Sequence, residues 1–337
     1  MELYSGIDLH SNNCMVTVIN EEGLTVYAKR IANDIEMIKL ALLPHKDALV
    51  GVVVESTYNW YWLVDGLQAA GFNVRLANTT AIQQYSGIKN TNDKTDARWL
   101  AELLRLNILP TGYICPIEFR SIRDLARKRM QMVSQRTRNI LSLQTIITRN
   151  TSVTMSCASI KKLTDAELQK ILPNPNHFIA ARANLHLLRK MDAEEKAIKK
   201  VILKQIALKS EYEKLLQVPG IGEILAMTIM LEAGDINRFS SVGDYASYCR
   251  CVSTKRESNG KSKGKNNAKN GNKFLSWAYV EAANFAIRYY PEIKKFYQRK
   301  LSKCGQVVAI KAVAHKLSRA SYYVIKDGAD YDIRKGF

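Results

Sequence analysis

The sequence predicts a mixed α/β domain followed by a longer, mainly α-helical remainder, and three observations carry that expectation. Short β-branched apolar runs recur through the first 80 residues, separated by turn residues and by stretches of helical period. Strand signals all but vanish after about residue 92. Beyond that point two long helical patterns appear, 120–150 and 181–216, with apolar residues at helical spacing.

Residues 2–9 read as a strand, and 14–20 with 24–31 as a hairpin pair around "NEEG". A helical stretch follows near 33–43. "ALVGVVVES" (48–56) is a continuous apolar run of the kind expected of a strand buried on both faces. "YWLVDGLQAAG" reads as a helix stopped by Gly71, and "FNVRLAN" as a further strand. "TNDKTDARWLAELLRL" (91–106) then opens an amphipathic helix with Asp93 and Asp96 one turn apart. The two long helical patterns are expected to form an antiparallel coiled-coil arm, broken between them at "LPNPNHF", where Pro173 and Pro175 interrupt a helix. A third segment begins at "VPGIGEILAMTIMLEAGDINRF" (218–239), passes through a Ser/Asn/Gly/Lys-rich stretch (253–273), and ends helical. The expected domains are 1–112, 113–216 and 217–337.

The chain of 337 residues is 47% hydrophobic and 24% charged, which is ordinary globular composition. Its net charge of +19 is not ordinary and points to a polyanionic partner. Residues 1–98 hold 8 Lys+Arg against 11 Asp+Glu, so the whole surplus lies after residue 98. An acidic first part suits cation binding, and a basic remainder suits phosphates. Apolar runs fall well short of the ~18 residues of a membrane helix, and "MELYSGIDLH" lacks the regions of a signal peptide. The six cysteines show no C-x-x-C pair and read as reduced thiols of a cytosolic protein.

Four acids stand out. Asp8 lies within the first apolar strand, where burial is costly without metal or hydrogen bonds. Glu55 ends the buried strand "LVGVVVE", and carboxyl ends of such strands are where α/β sheets place ligands. With Asp93 and Asp96 they run strand, strand, helix, helix. If they converge, mutual repulsion requires a cation, and Mg²⁺ suits carboxylate oxygens. Each acid alone is equally compatible with a solvated strand end or an ordinary helix start. His10, two residues from Asp8, reads as a supporting neighbour of the site, and Trp99 and Trp277 read as core anchors.

Basic segments come next. Residues 255–273 hold seven Lys/Arg and one Glu, a flexible loop suited to phosphate contact through Lys255, Arg256, Lys261, Lys263, Lys265 and Lys269. The helix 120–138 offers Arg120, Arg123, Arg127, Lys128 and Arg129 for backbone charge. "VPGIGEILAMTI" resembles a helix-hairpin-helix whose Gly220 and Gly222 would present amides to a phosphate. For each, a solvated face or a plain inter-helix turn is the competing reading.

"GIDLH", "VVVES" and "TNDKTDARWLAELL" together resemble the amino-terminal domain of DEDD transposases of bacterial insertion sequences, the IS one-ten type that includes the IS eleven-eleven group. The helix motif of that family usually reads K-T-D-R-x-D-A; here it is T-N-D-K-T-D-A, with Lys94 where Arg is common. The resemblance implies a RuvC-like RNase H fold with Asp8, Glu55, Asp93 and Asp96 binding Mg²⁺, for which Mn²⁺ can substitute. "ESNGK" and "KNGNKFLSWAYVEAA" are similar to the serine region of the family's carboxy-terminal domain, with Asn259 in place of the usual Gly. That likeness implies Ser258 as nucleophile, with Ser253 and Ser262 as fallbacks; chemistry alone does not choose among them, because no local base is visible.

The implied activity is DNA cleavage and strand exchange on donor and target DNA, guided by a structured non-coding bridge RNA. The implied assembly is a dimer or tetramer through the helical arm, with acids and serine from different protomers, acting at the bacterial nucleoid. The rivals are a RuvC-like Holliday-junction nuclease with no role for Ser258 and a non-enzymatic nucleic-acid scaffold. A membrane-surface protein fits worse, since no basic helix with aromatic anchors stands out.

Overall fold

The computed structural model describes residues 1–82, 93–207, 209–252, 255–265 and 270–337, with the backbone alone at 255–258 and 262–265. The chain divides into two compact units, Met1–Ile117 and Glu118–Phe337.

The first unit is built on a five-stranded sheet in the order β3-β2-β1-β4-β5. β1 (Leu3–Leu9), β2 (Asn13–Ile19) and β3 (Thr25–Ala32) form an antiparallel meander. After α1 (Ile35–Leu42) and a 3-10 turn (Leu43–Ala48), β4 (Leu49–Glu55) returns parallel to β1. α2 (Tyr61–Ala69) leads to β5 (Val74–Ala77), parallel to β4, and a short α3 (Thr79–Ile82) follows. α4 spans Asp93–Arg105. The alternation expected from the sequence is thus present, with α1 shorter than the pattern suggests because Asp34 caps it by accepting from the amides of Glu36 and Met37.

Strand parity separates the two faces of this sheet. Leu3, Ile7 and Leu9 of β1 join Val52 and Val54 of β4 in a core shared with Ile38 of α1 and Leu63 of α2. Tyr4 of β1 and Val53 of β4 face the other way, packing with Ala101 and Leu100 of α4. Gly6 makes the close approach of α4 possible. A Cβ there would lie 2.0 Å from the carbonyl oxygen of Ala97 and 2.8 Å from the amide of Ala101.

The second unit opens with α5 (Ile117–Thr151), followed by the short α6 (Cys157–Lys162) and α7 (Asp165–Ile171) and by the long α8 (Pro175–Ile206). α5 and α8 run antiparallel: Arg129 meets Glu195, Arg136 meets Asp192 at 2.7 Å, and Asn184 donates to Ser142 at 3.3 Å. Ile140, Leu143 and Ile147 of α5 pack with Leu168 of α7 and Leu185 and Leu188 of α8 to close the far end. The break expected at Pro173 and Pro175 is present: α7 ends at Ile171, and Pro175 opens α8 in its first turn, where a missing N–H costs nothing, behind the Asn174 cap. The helical pattern expected over 181–216 is interrupted, since α8 ends at Ile206 and α9 covers Ser210–Leu216.

The rest of this unit packs α10 (Glu223–Ala233), α11 (Val242–Tyr248), α12 (Lys273–Tyr289), α13 (Pro291–Leu301) and α14 (Gln306–Lys326) around one core, with α15 (Ile333–Gly336) at the end. Tyr245 and Tyr279 are fully buried there and share a hydroxyl–hydroxyl bond of 2.7 Å. Cys249 and Cys251 are buried in the same core, and burial pushes the Cys251 thiol up to about 12. Trp277, expected as a core anchor, is 38% exposed and borders a groove with Phe285, Tyr289 and Tyr290; Trp99 is half-buried.

Between α11 and α12, β6 (Lys255–Ser258) and β7 (Lys261–Lys265) pair antiparallel. The stretch read from the sequence as a flexible loop therefore contains a hairpin. Its turn is Asn259-Gly260, both at positive φ (52° and 69°), the conformation that a two-residue hairpin turn requires.

Candidate active site

Period-2 alternation puts Asp8 on the same side of β1 as Tyr4 and Gly6, the side that α4 covers. The parallel register pairs Gly6 with Val53 and Ile7 with Val54, so Glu55 of β4 follows beside Asp8 on that face. On α4, Asp93 and Asp96 share the helical stripe of Ala97, Leu100 and Leu104 that packs on the sheet. All four acids are thereby directed toward one end of the sheet–α4 interface.

Two of them come fully together, with an added partner. One ligand atom each from Asp8, His10 and Asp93 lies within 4.8 Å of the others. His10 Nε2 is 3.5 Å from Asp8 Oδ2 and 3.4 Å from Asp93 Oδ2. Glu55 and Asp96 are both half-buried and do not join that tight group. Arg30 of β3 donates to Asp93 Oδ2 at 2.5 Å and to Asn13 Oδ1 at 2.9 Å. The Arg30 guanidinium beside Asp93 holds its carboxyl below the usual carboxylate range, with His10 adding to the effect.

The residues fit a divalent cation. The Asp8 side chain is only 6% exposed and accepts no hydrogen bond among the described residues. His10 Nε2 is its ion-pair neighbour at 3.5 Å, and a cation among the three groups would offset the repulsion between Asp8 and Asp93. Around an octahedral ion at ~2.1 Å, adjacent ligand atoms stand roughly 3 Å apart, and the separations of 3.4 and 3.5 Å need only small side-chain adjustments to meet that. His10 is the site member that sequence reasoning set aside. His10 lies just past the end of β1, where the chain turns toward β2, so strand alternation alone does not place it.

The serine region is organised by a polar network at its foot. Glu232 of α10, 4% exposed, takes a bidentate pair from Arg127 (Nε 2.6 Å, Nη2 2.7 Å) and a bond from Asn272 Nδ2 at 2.7 Å. Asn272 in turn caps α12, accepting from the amides of Phe274 and Leu275. Gly271 precedes it at φ 80°, against the carbonyl of Tyr248, and its own carbonyl accepts from Arg250. Replacing Glu232 by Ala leaves Arg127 and Asn272 facing an empty position. The expected loss is about 3–5 kcal/mol of unfolding free energy, read from urea denaturation, with Glu232→Gln losing less.

This network corrects the reading of the basic helix. Arg120 and Arg123 are buried, Arg127 is committed to Glu232, and Arg129 to Glu195. Arg120, Arg123 and Arg129 are thus largely withdrawn from solvent, whereas Arg127, one-third exposed, pairs with Glu232 and also lines a groove. Lys128 remains exposed. It borders a groove of about 610 Å³ with Gln131, Ser134 and Lys273. Gly220, at φ 79°, is required by packing, since a Cβ would lie 2.1 Å from the carbonyl of Ala282; Gly222 is exposed at the start of α10. In the hairpin, the backbone sets Ser258 opposite Lys261, which is exposed, and Ser262 opposite Glu257. Lys255, Arg256, Lys263 and Lys265 belong to the two strands. Ser253 and Lys269 lie outside the described residues.

Among the described residues, no helix is long and apolar enough to cross a membrane. No curated protein matches the chain. Two family models do. Residues 5–150, which carry Asp8, Glu55, Asp93 and Asp96, match the DEDD transposase model of the IS110 type. Residues 212–298, which carry the serine hairpin, match the model described as Transposase IS116/IS110/IS902 family. That pair of matches, in order and over about two-thirds of the chain, supports a DNA transposase of the IS110 family of insertion sequences, whose DEDD acids imply use of a divalent metal.

Proposed function

We propose that this transposase cuts and exchanges DNA strands at its insertion sequence with Mg²⁺ held by Asp8, Glu55, Asp93 and Asp96, and with Ser258 as the nucleophile. The observation that carries the reading is the gathering of Asp8, His10 and Asp93, one ligand atom each within 4.8 Å of the others, with the Asp8 side chain only 6% exposed. The strand order β3-β2-β1-β4-β5, three antiparallel strands then two parallel ones, supports a RuvC-like RNase H fold for the first unit. Bound there, the cation would polarise the scissile phosphate and stabilise the leaving oxygen.

The chain's own groups do the rest. Arg30 fixes the Asp93 carboxylate in place. Ser258 attacks phosphorus: an Oγ–P bond forms as the bond to the leaving strand breaks, the hydroxyl proton passes to solvent, and the leaving oxygen takes one up. The DNA stays esterified to the protein until a hydroxyl of the second strand reverses the step, so no external energy source is needed. Lysines and Arg256 of the hairpin, with Lys128 and Lys273 at the groove on α5 and α12, hold phosphates. The basic surplus after residue 98 suits a structured RNA that guides donor and target, and a homo-oligomer supplies the paired strands.

The test is to incubate the full chain with Mg²⁺, element-end DNA and RNA transcribed from the element's flank. The expected result is recombined product and a DNA adduct that maps to Ser258. Ser258→Ala is expected to lose the adduct and at least about 10³-fold of recombination. Recombination at the normal rate by Ser258→Ala would favour a metal-dependent junction nuclease instead.

A further inference from the structure

We infer that His10 is itself a ligand of the cation at the Asp8–Asp93 site, and that it biases the site toward a transition-series ion such as Mn²⁺ over Mg²⁺. The inference rests on the metal reading above and adds to it a nitrogen ligand outside the four acids. His10 Nε2 is shut from solvent and makes no hydrogen bond. Both carboxylate oxygens lie near it, at 3.5 Å and 3.4 Å. A ring nitrogen closed off from water, with carboxylate oxygens on two sides at 3.4 and 3.5 Å, is placed as a ligand would be.

The backbone of His10 is pinned on three sides, which makes this placement a property of the fold. Its amide donates to the carbonyl of Asn13 at 2.9 Å. Its carbonyl accepts from Asn33 Nδ2 and from Asn59 Nδ2, each at 3.0 Å. Asn59 is held in turn by Thr57 Oγ1 at 2.9 Å. Residues from β2, from the β3–α1 connection and from the β4–α2 connection therefore all converge on this one residue. Such convergence presents the ring with little orientational freedom left to lose on binding.

Ligand chemistry then sets the preference. Mg²⁺ takes oxygen ligands and gives up water reluctantly; imidazole suits first-row transition ions, with Mn²⁺ the weakest of that series and the closest to Mg²⁺ in its liking for carboxylates. A set of two carboxylates and one imidazole at Asp8, Asp93 and His10 is a mixed oxygen–nitrogen site. Arg30 already holds Asp93 Oδ2 at 2.5 Å, so the ion would share that oxygen with the guanidinium or take the other Asp93 oxygen.

The experiment uses the full chain with Mn²⁺ as the probe, followed by electron paramagnetic resonance, with Mg²⁺ as competitor. Bound Mn²⁺ is expected to show nitrogen modulation in electron spin echo spectra. His10→Gln is expected to bind without that modulation, with Mn²⁺ affinity down at least about tenfold and Mg²⁺ affinity changed much less. Asp8→Asn serves as the control for the site itself. Mn²⁺ bound at an Asp8-dependent site with no nitrogen modulation, or with affinity unchanged by His10→Gln, overturns the role of His10 and leaves the metal reading standing. No Mn²⁺ bound by the folded wild-type chain, or equal binding by Asp8→Asn, overturns the metal reading and this inference with it.

Discussion

Asp8→Asn is expected to abolish DNA strand cleavage, with a fall of at least about 10³-fold, or ~4 kcal/mol of transition-state stabilisation. The substitution keeps the shape of a side chain that is 6% exposed, so the fold should persist while the charge disappears. Removing the charge removes the strongest reason for a cation to bind, since Asp8 is the most buried member of the group that also holds His10 and Asp93. Cleavage of element-end DNA in Mg²⁺ and in Mn²⁺, with circular dichroism to confirm folding, checks it. Near-normal cleavage by a folded Asp8→Asn protein would mean that the acids are structural.

The second large effect is expected from Gly6→Val. The added Cβ meets the backbone of α4, 2.0 Å from the carbonyl of Ala97 and 2.8 Å from the amide of Ala101. No side-chain adjustment relieves a clash with backbone, so α4 must lift from the sheet. Overpacking of this kind costs upward of about 3 kcal/mol. The consequence reaches the site, because α4 brings Asp93 to Asp8 and His10. Cation binding should therefore fall even where enough folded protein remains to measure it. Gly222→Ala provides the contrast: nothing lies within 4 Å of a Cβ there, and a change under ~1 kcal/mol is expected. Urea unfolding and Mn²⁺ binding on both variants decide the matter.

These two cases show how much of the site was legible. The alternation of Tyr4, Gly6 and Asp8 along one strand, and the i, i+3, i+4 stripe from Asp93 through Leu104, are periodicities written in consecutive residues. They place the acids on facing surfaces before any contact is known. His10 was read as a neighbour because its importance depends on where the chain turns after Leu9 and on two asparagines, 23 and 49 residues away, that fix its carbonyl. The hairpin is hidden although "SNGK" contains a strong turn dipeptide, because a Ser/Asn/Gly/Lys-rich composition suggests a loop when flanking residues lack apolar alternation. The basic helix misled in the opposite direction. Counting charges cannot tell an arginine facing solvent from Arg127, whose carboxylate partner lies 105 residues along the chain.

By itself, the sequence determined the order of strands and helices in the first unit, the helical character of the second, the segregation of positive charge after residue 98 and the motif positions of the acids and serine. Each of those depends on local periodicity, on composition or on residue identity. The tertiary structure alone decided that His10 joins Asp8 and Asp93, that Gly6 admits α4, that Trp277 is exposed, and that Arg120, Arg123 and Arg129 of α5 are withdrawn from solvent. Those outcomes depend on which distant side chains meet and on which faces remain open to water, and both are set only when the helices and strands pack.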